Sequence, residues 1–174
     1  GEERTFGCTI EWGATMLGNG VCELTSEPDS ITFGLGSFSN NVDSNKLSAI
    51  KEILESMGRV NIEGNFIGAR WSKLLINSSF SGISTVMGCT FGEAAGNKAS
   101  RLCIQRIIKE CIEVAKSAGI RIEPVQGKDI CKLLDYESKI KELFSFMIIP
   151  IAIRKHRLLK ASMLQDLEKG RKSE

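Results

Sequence analysis

The stretch Arg70–Ser81, R-W-S-K-L-L-I-N-S-S-F-S, decides how the chain is read. At about 100° per residue, setting Lys73 at zero puts Asn77 near ~40° and Ser81 near ~80°. These three residues form one polar stripe. Trp71, Leu74, Leu75, Ile76 and Phe80 fill much of the remaining circumference. A helix apolar on most sides is generally buried. The reading therefore expects a buried Lys73, and a desolvated ammonium needs a counter-charge or a polar cavity. Lys73, Asn77 and Ser81 would then line a small-molecule cleft, with Lys73 exchanging a proton and the two neutral side chains orienting the ligand. Spacing alone leaves a structural alternative open, in which Lys73 snorkels to the surface and Asn77 caps a neighbouring loop.

Working outward, helices dominate on the carboxy-terminal side. The helix containing Arg70–Ser81 is predicted from about Ile67 to Phe80. Gly82–Gly96 is rich in Gly, Ser and Thr and reads as a turn-rich connection with a short helical piece. Asn97 or Ser100 can cap the next helix, which Gly119 closes. Its apolar positions are read as Cys103, Ile104, Ile107, Ile108, Cys111, Val114, Ala115 and Ala118. Glu110 is placed at the rim of that arc, as a half-buried carboxylate in need of a partner. A short helix is predicted over Gly127–Tyr136 and a longer one from Glu137 to Pro150. A last one runs from Ile153 to Lys169 and stops at Gly170, with Leu158, Leu159, Met163 and Leu167 as its apolar face and Ser162 at the edge of it. Glu174 follows that turn.

On the amino-terminal side the signals are those of strands. Phe6–Ala14, Val21–Thr25 and Ile31–Phe33 read as an antiparallel meander, with Gly18-Asn19-Gly20 as a turn. Leu47, Ile50, Ile53, Leu54 and Met57 recur at helical spacing, and Gly58 is read as a left-handed cap. Val60 and Ile62 form a short strand. Strands give way to helices near Gly64, so a boundary is placed there: residues 1–64 as strands plus one helix, residues 65–174 as a helical domain. The fold class is mainly α with a small β part.

Bulk properties narrow the function. The chain has 174 residues, 42% of them hydrophobic and 25% charged, and a net charge of +2. With no Lys/Arg run or aromatic ladder, nucleic acid is not expected as a partner. The six cysteines form no C-x-x-C pair and there is one histidine, so no metal site is expected. Reduced thiols in a cytoplasmic protein are the simpler reading. No signal peptide is read at Gly1–Ile10. Phe144–Ile153, the longest apolar run, is half the length of a membrane span and carries Pro150, so it reads as a buried helix or a subunit contact rather than a membrane segment.

Four segments together resemble the ketopantoate reductase family: R-W-S-K-L-L-I-N, then F-G-E-A, then the Ile107–Gly119 helix, and finally S-M-L-Q-D-L-E-K-G-R-K-S-E. The last block is the most specific. The opening G-E-E-R-T-F-G-C-T-I-E-W-G-A-T-M-L-G-N-G-V is similar to the family's passage into the last strands of its nucleotide-binding domain. The resemblance implies a helical substrate domain like that of the 6-phosphogluconate dehydrogenase group, preceded by a few strands of an incomplete Rossmann domain. It implies reduction of a 2-keto acid, 2-dehydropantoate, to pantoate with NADPH, on the route to coenzyme A. Lys73 matches the catalytic lysine and Glu174 the catalytic glutamate. Asn77 and Ser162 match substrate-binding residues, with Ser81 beside them and Glu110 and Asp166 as supporting carboxylates. Ser81 and Leu159 stand where well-known members carry asparagines, which extends the expectation to a related 2-keto acid.

The family's G-x-G-x-x-G/A phosphate turn is not found, and Gly34-Leu35-Gly36 lacks both the third glycine and a following helix. The chain reads as truncated at both ends, unable by itself to bind NADPH normally or to turn over substrate. Unpaired strand edges favour self-association, hence an expected homodimer. The alternative is a non-catalytic helical interaction domain that uses Phe144–Ile153 as its partner surface.

Overall fold

The structure is a computed structural model that describes residues 5–39, 43–125 and 127–173. It is mainly α with a small β part, a helical domain after a few strands of a partial Rossmann fold. Its contacts divide it into two compact units, Gly1–Arg70 and Trp71–Glu174.

In the first unit, β1 (Phe6–Ile10), β4 (Thr32–Ser37) and β5 (Arg59–Ile62) form a three-stranded sheet in the order β1-β4-β5. β1 runs antiparallel to β4, and β4 runs parallel to β5. β2 (Ala14–Gly18) and β3 (Val21–Leu24) form a separate hairpin. The predicted meander is thus corrected. Asn19 (φ 48°) and Gly20 (φ 80°) close the hairpin in the left-handed conformations that a tight two-residue turn requires. The hairpin satisfies its own ladder, and β1 is left to pair with β4. The parallel β4–β5 pair follows from α1 (Ser44–Glu55), which carries the chain back along the sheet.

Asp43 caps α1 by accepting from the Asn45 and Lys46 amides. Leu47, Ile50 and Leu54 pack on Phe33, Leu35 and Val60, while Ile53 and Met57 are exposed. Alternation along β4 turns Gly34 and Gly36 to the opposite face. There the Phe66 ring lies against Gly7 and Gly36, and a Cβ on Gly36 would come within 2.6 Å of it. Gly58 is not left-handed, contrary to expectation. It is needed because the Ile31 carbonyl oxygen passes 2.7 Å from where a Cβ would stand.

The second unit starts inside α2 (Phe66–Ile76), at Trp71, and continues through a π-helical turn (Asn77–Ser81) and α3 (Gly82–Met87). α4 (Phe91–Gly96), α5 (Lys98–Ser117), α6 (Ile130–Leu134), α7 (Lys139–Ala152) and α8 (Ser162–Glu168) follow. The core gathers Leu75 and Phe80 with Ile104, Ile108 and Ile112 of α5, Ile149 of α7 and Leu164 of α8. The buried face of α5 is therefore Ile104-Ile108-Ile112-Ala115, whereas Cys103 and Val114 are exposed. The longer aliphatic side chains take the interior and the mixed Cys/Val arc faces out. Asn97 caps α5 through the Ala99 and Ser100 amides. α7 continues through Pro150, and the predicted Ile153–Lys169 helix is broken: residues 154–156 make one 3-10 turn, 157–161 are not helical, and α8 is short. Among the described residues no helix is long and apolar enough to cross a membrane.

Candidate functional site

The site residues on α2 and the π-turn are shaped by an irregular helix. The Gly82 amide donates to the Asn77 carbonyl, an i→i+5 bond. The Ser79 hydroxyl donates to the Leu75 carbonyl at 2.7 Å, and the Thr85 hydroxyl to the Ser81 carbonyl at 2.6 Å. These hydroxyls serve carbonyls that a widened turn leaves poorly paired. A π-turn advances only about 80° per residue, so Ser81 swings back from ~80° to near ~0°, the direction of Lys73. The stripe of Lys73, Asn77 and Ser81 is thereby narrower than regular α-geometry predicts. The N-S-S-F-S run of hydrogen-bonding side chains inside an apolar helix was the available signal for this turn.

Lys73 and Asn77 are exposed and Ser81 is half-buried. The expected burial of the ammonium is thus corrected. Leu74 is exposed as well, so this part of α2 buries the side that carries Ser72 and Leu75 and leaves the polar stripe open. The Ser72 hydroxyl donates to the Glu123 carbonyl at 2.5 Å, which fixes the rotation of α2 within the second unit.

Ser162, exposed, is the first residue of α8, and α8 packs against α3 directly after Ser81. What positions it is the F-G-E-A segment. Thr90 and Glu93 form a capping box that opens α4, with the Thr90 amide donating to Glu93 Oε2 at 2.8 Å. This exposes the amides of Phe91 and Gly92, which donate to the carbonyls of Leu159 (3.0 Å) and Arg157 (2.9 Å). Gly92 is required because a Cβ there would sit 2.8 Å from the Arg157 carbonyl oxygen. Ala161 and Leu164 then bury α8. Asp166 is half-buried; its backbone carbonyl accepts from the Lys169 and Arg171 amides and closes the turn before Gly170 (φ 66°).

Glu110 does not join this group. It lies about 200° around α5 from Ile108, on the side away from the core, and is exposed. The reason is that Cys103 and Val114, the flank it stands beside, face out. Glu174 lies outside the described residues.

His156, which the sequence reading used only to set aside a zinc site, sits half-buried before the 157–161 segment. Burial pushes its pKa below the ordinary imidazole value, and the positive charges of Lys155, Lys128 and Lys73 push it the same way. Lys73 is thus one of the positive charges that act on His156. Among the described residues no cluster of His, Cys, Asp and Glu could hold a metal. Gly34 and Gly36 lie inside β4, one of them under Phe66, so they cradle no phosphate.

Comparison with known proteins gives one family. The model described as ketopantoate reductase PanE/ApbA, C-terminal, matches residues 65–174. No curated protein matches the chain. Among solved structures it is similar to D-mandelate dehydrogenase in a ternary structure with NADH and anilino(oxo)acetate (17% identity, TM-score 0.71, 99% of this chain and 50% of that one). It is also similar to a 2-dehydropantoate 2-reductase from Methylococcus capsulatus (19%, 0.70, 97% and 51%). A dimeric ketopantoate reductase from Staphylococcus aureus matches at 14% identity, TM-score 0.64, over 97% of this chain and 49% of that one. The chain spans about half the length of these proteins.

Proposed function

Because the chain belongs to the ketopantoate reductase C-terminal family, we propose that it is the substrate-binding half of an NADPH-dependent reductase of 2-keto acids, acting on 2-dehydropantoate or a relative in pantothenate synthesis. The observation that carries this is the single polar line of Lys73, Asn77 and Ser81 on an irregular helix inside the matched region. Reduction of a ketone builds negative charge on its oxygen, and Lys73 is the cationic acid to meet it. Asn77, Ser81 and Ser162 supply hydrogen bonds that orient the keto acid, and the Lys73–Lys128–Lys155 neighbourhood draws its carboxylate. Glu174 is assigned to holding the lysine in register. NADPH is the cofactor the family uses, and no G-x-G-x-x-G/A turn for its pyrophosphate is found among the described residues. Six free thiols support a cytoplasmic setting. The partner proposed for the chain is a second copy of itself.

Binding of 2-dehydropantoate to the 174-residue chain, followed by amide chemical shifts, tests the site. Lys73→Ala and Asn77→Ala are each expected to weaken binding about tenfold or more. Shifts that ignore residues 73–81 and 162, or affinity unchanged in both variants, would refute the assignment. The exposure of Lys73 favours one rival, the non-catalytic interaction domain, and that rival predicts no saturable binding of the keto acid at all.

A further inference from the structure

α8 begins with Ser162, and it is a helix that cannot stand by itself. It has seven residues, Ser162–Glu168, about half the length at which an isolated helix is even marginal in water. Ala161, the residue before it, has no side chain to cap the free amides of the first turn. Lys160 instead ties the lead-in to α8 itself, twice. The Gln165 side-chain amide donates to the Lys160 carbonyl at 3.3 Å, one turn into the helix. The Lys160 ammonium donates to the Glu168 carboxylate at 2.6 Å, at the helix's far end. Its charge is also felt at the first turn of α4. Hydrogen bonds from Thr90 hold the Glu93 carboxyl below the ordinary carboxylate value, and Lys160 adds to that lowering.

We infer that Lys160 is a positioning residue for Ser162: with its ammonium on Glu168 and its carbonyl on the Gln165 amide, it fixes the direction in which α8 leaves the segment gripped by Phe91 and Gly92, and with it the serine hydroxyl. The inference rests on the reading above that Ser162 binds the keto acid, and it adds a residue that touches no substrate. Burial of Ala161 and Leu164 holds α8 on the core, but burial has no direction of its own. The polar ties supply the direction. The Lys160 and Glu168 side chains are 43% and 45% exposed, and an ion pair so placed contributes little to the stability of the whole unit. An uncapped helix of two turns is ordered by few contacts, so the same small energy is a large share of what fixes its start. Ser162 is exposed, so the tie leaves its hydroxyl open to a ligand.

Titration of the full 174-residue chain with 2-dehydropantoate, followed by amide chemical shifts, tests this in the wild type, Lys160→Met, Lys160→Arg and Glu168→Gln. Lys160→Met and Glu168→Gln are each expected to weaken binding about two- to fivefold. In the ligand-free chain they are expected to move the Ser162 and Met163 amide signals while those of Ile104–Ile112 on α5 stay in place. Lys160→Arg keeps the charge and the pair, and is expected to bind as the wild type does. Glu168→Gln decides the matter, because it removes a negative charge and keeps the lysine; a Lys160 that merely attracted the anion would then bind it as tightly or more tightly. A wild type that binds, with Glu168→Gln unweakened, with the Ser162 amide unmoved in both variants, or with Lys160→Arg as weak as Lys160→Met, overturns the role of Lys160 and leaves the keto-acid reading standing. A wild type that does not bind overturns both.

Discussion

Asp135→Asn tests the strongest electrostatic tie between α5 and the end of α6. Asp135 accepts from Lys109 at 2.7 Å and from Lys116 at 2.5 Å, both on α5. The Asp135 and Lys109 side chains are 15% and 18% exposed, whereas Lys116 is 56% exposed. The Lys109 bond is therefore the stronger one, in the ~1.5–3 kcal/mol range of charged hydrogen bonds, and the Lys116 bond is worth ~0–1 kcal/mol. Asparagine keeps one accepting oxygen, and Lys109 keeps Glu113 at 3.1 Å. The net loss is about 2 kcal/mol, or about 4–8 °C in the melting temperature of a chain this size. The pH dependence has a definite sign. Burial pushes the Asp135 carboxyl up, but the hydrogen bonds and charges of Lys109 and Lys116 outweigh it and leave the group below the ordinary value. A carboxyl lowered by folding stabilises above its unfolded pKa, about 3.9, and that contribution disappears as pH falls through the folded value. Urea unfolding of both proteins at pH 7 and pH 3 is the assay. The difference is expected to be full at pH 7 and smaller at pH 3, closing only as pH falls through the folded value. A difference below about 0.5 kcal/mol at pH 7, or one of equal size at both pH values, would show that the tie does not stabilise the fold.

Two other perturbations follow from the same structure. His156 is shifted below the ordinary imidazole value in the folded chain by burial first and then by Lys155, Lys128 and Lys73, so the unfolded chain takes up its proton first as pH falls; stability is expected to drop from pH 7 towards pH 5, a slope that His156→Gln removes. Lys73→Met is expected to raise the His156 titration midpoint by NMR, and an unmoved midpoint would separate the two groups. Gly36→Ala drives a Cβ to within 2.6 Å of Phe66 and is expected to cost about 1–3 kcal/mol by chemical denaturation; an unchanged midpoint would mean that Phe66 does not cover the strand.

What the residues alone revealed depended on how strongly one period dominated. α1 and α2 were legible because apolar residues repeat every three to four positions, and the hairpin because Asn19-Gly20 suits only a tight turn. Pairing β1 with β4 was not legible, since short strands carry no signal for which neighbour they choose. α5 was assigned correctly as a helix and its face included the buried Ile104, Ile108 and Ala115, but it was drawn too wide, because Cys103 and Val114 are as apolar by type as Ile104 and Ile112 and only packing separates them. The continuous helix drawn through Ile153–Lys169 failed at 157–161, where the Arg157 and Leu159 carbonyls accept from the amides of Gly92 and Phe91. The line of Lys73, Asn77 and Ser81 was visible in the spacing, but its exposure was not, because a helix apolar on most sides normally lies inside. Glu110 was misplaced with the face of α5.

The segment before Ser162 is held through its main chain, by the amides of Phe91 and Gly92. Its side chains, Arg157 to Lys160, take no part in that grip and are exposed. Exchange at Leu159 can therefore alter the surface beside Ser162 without shifting the backbone that carries the serine. Such an anchorage lets that surface drift while the scaffold stays constant, as when the stones of a ring are reset in an unchanged band.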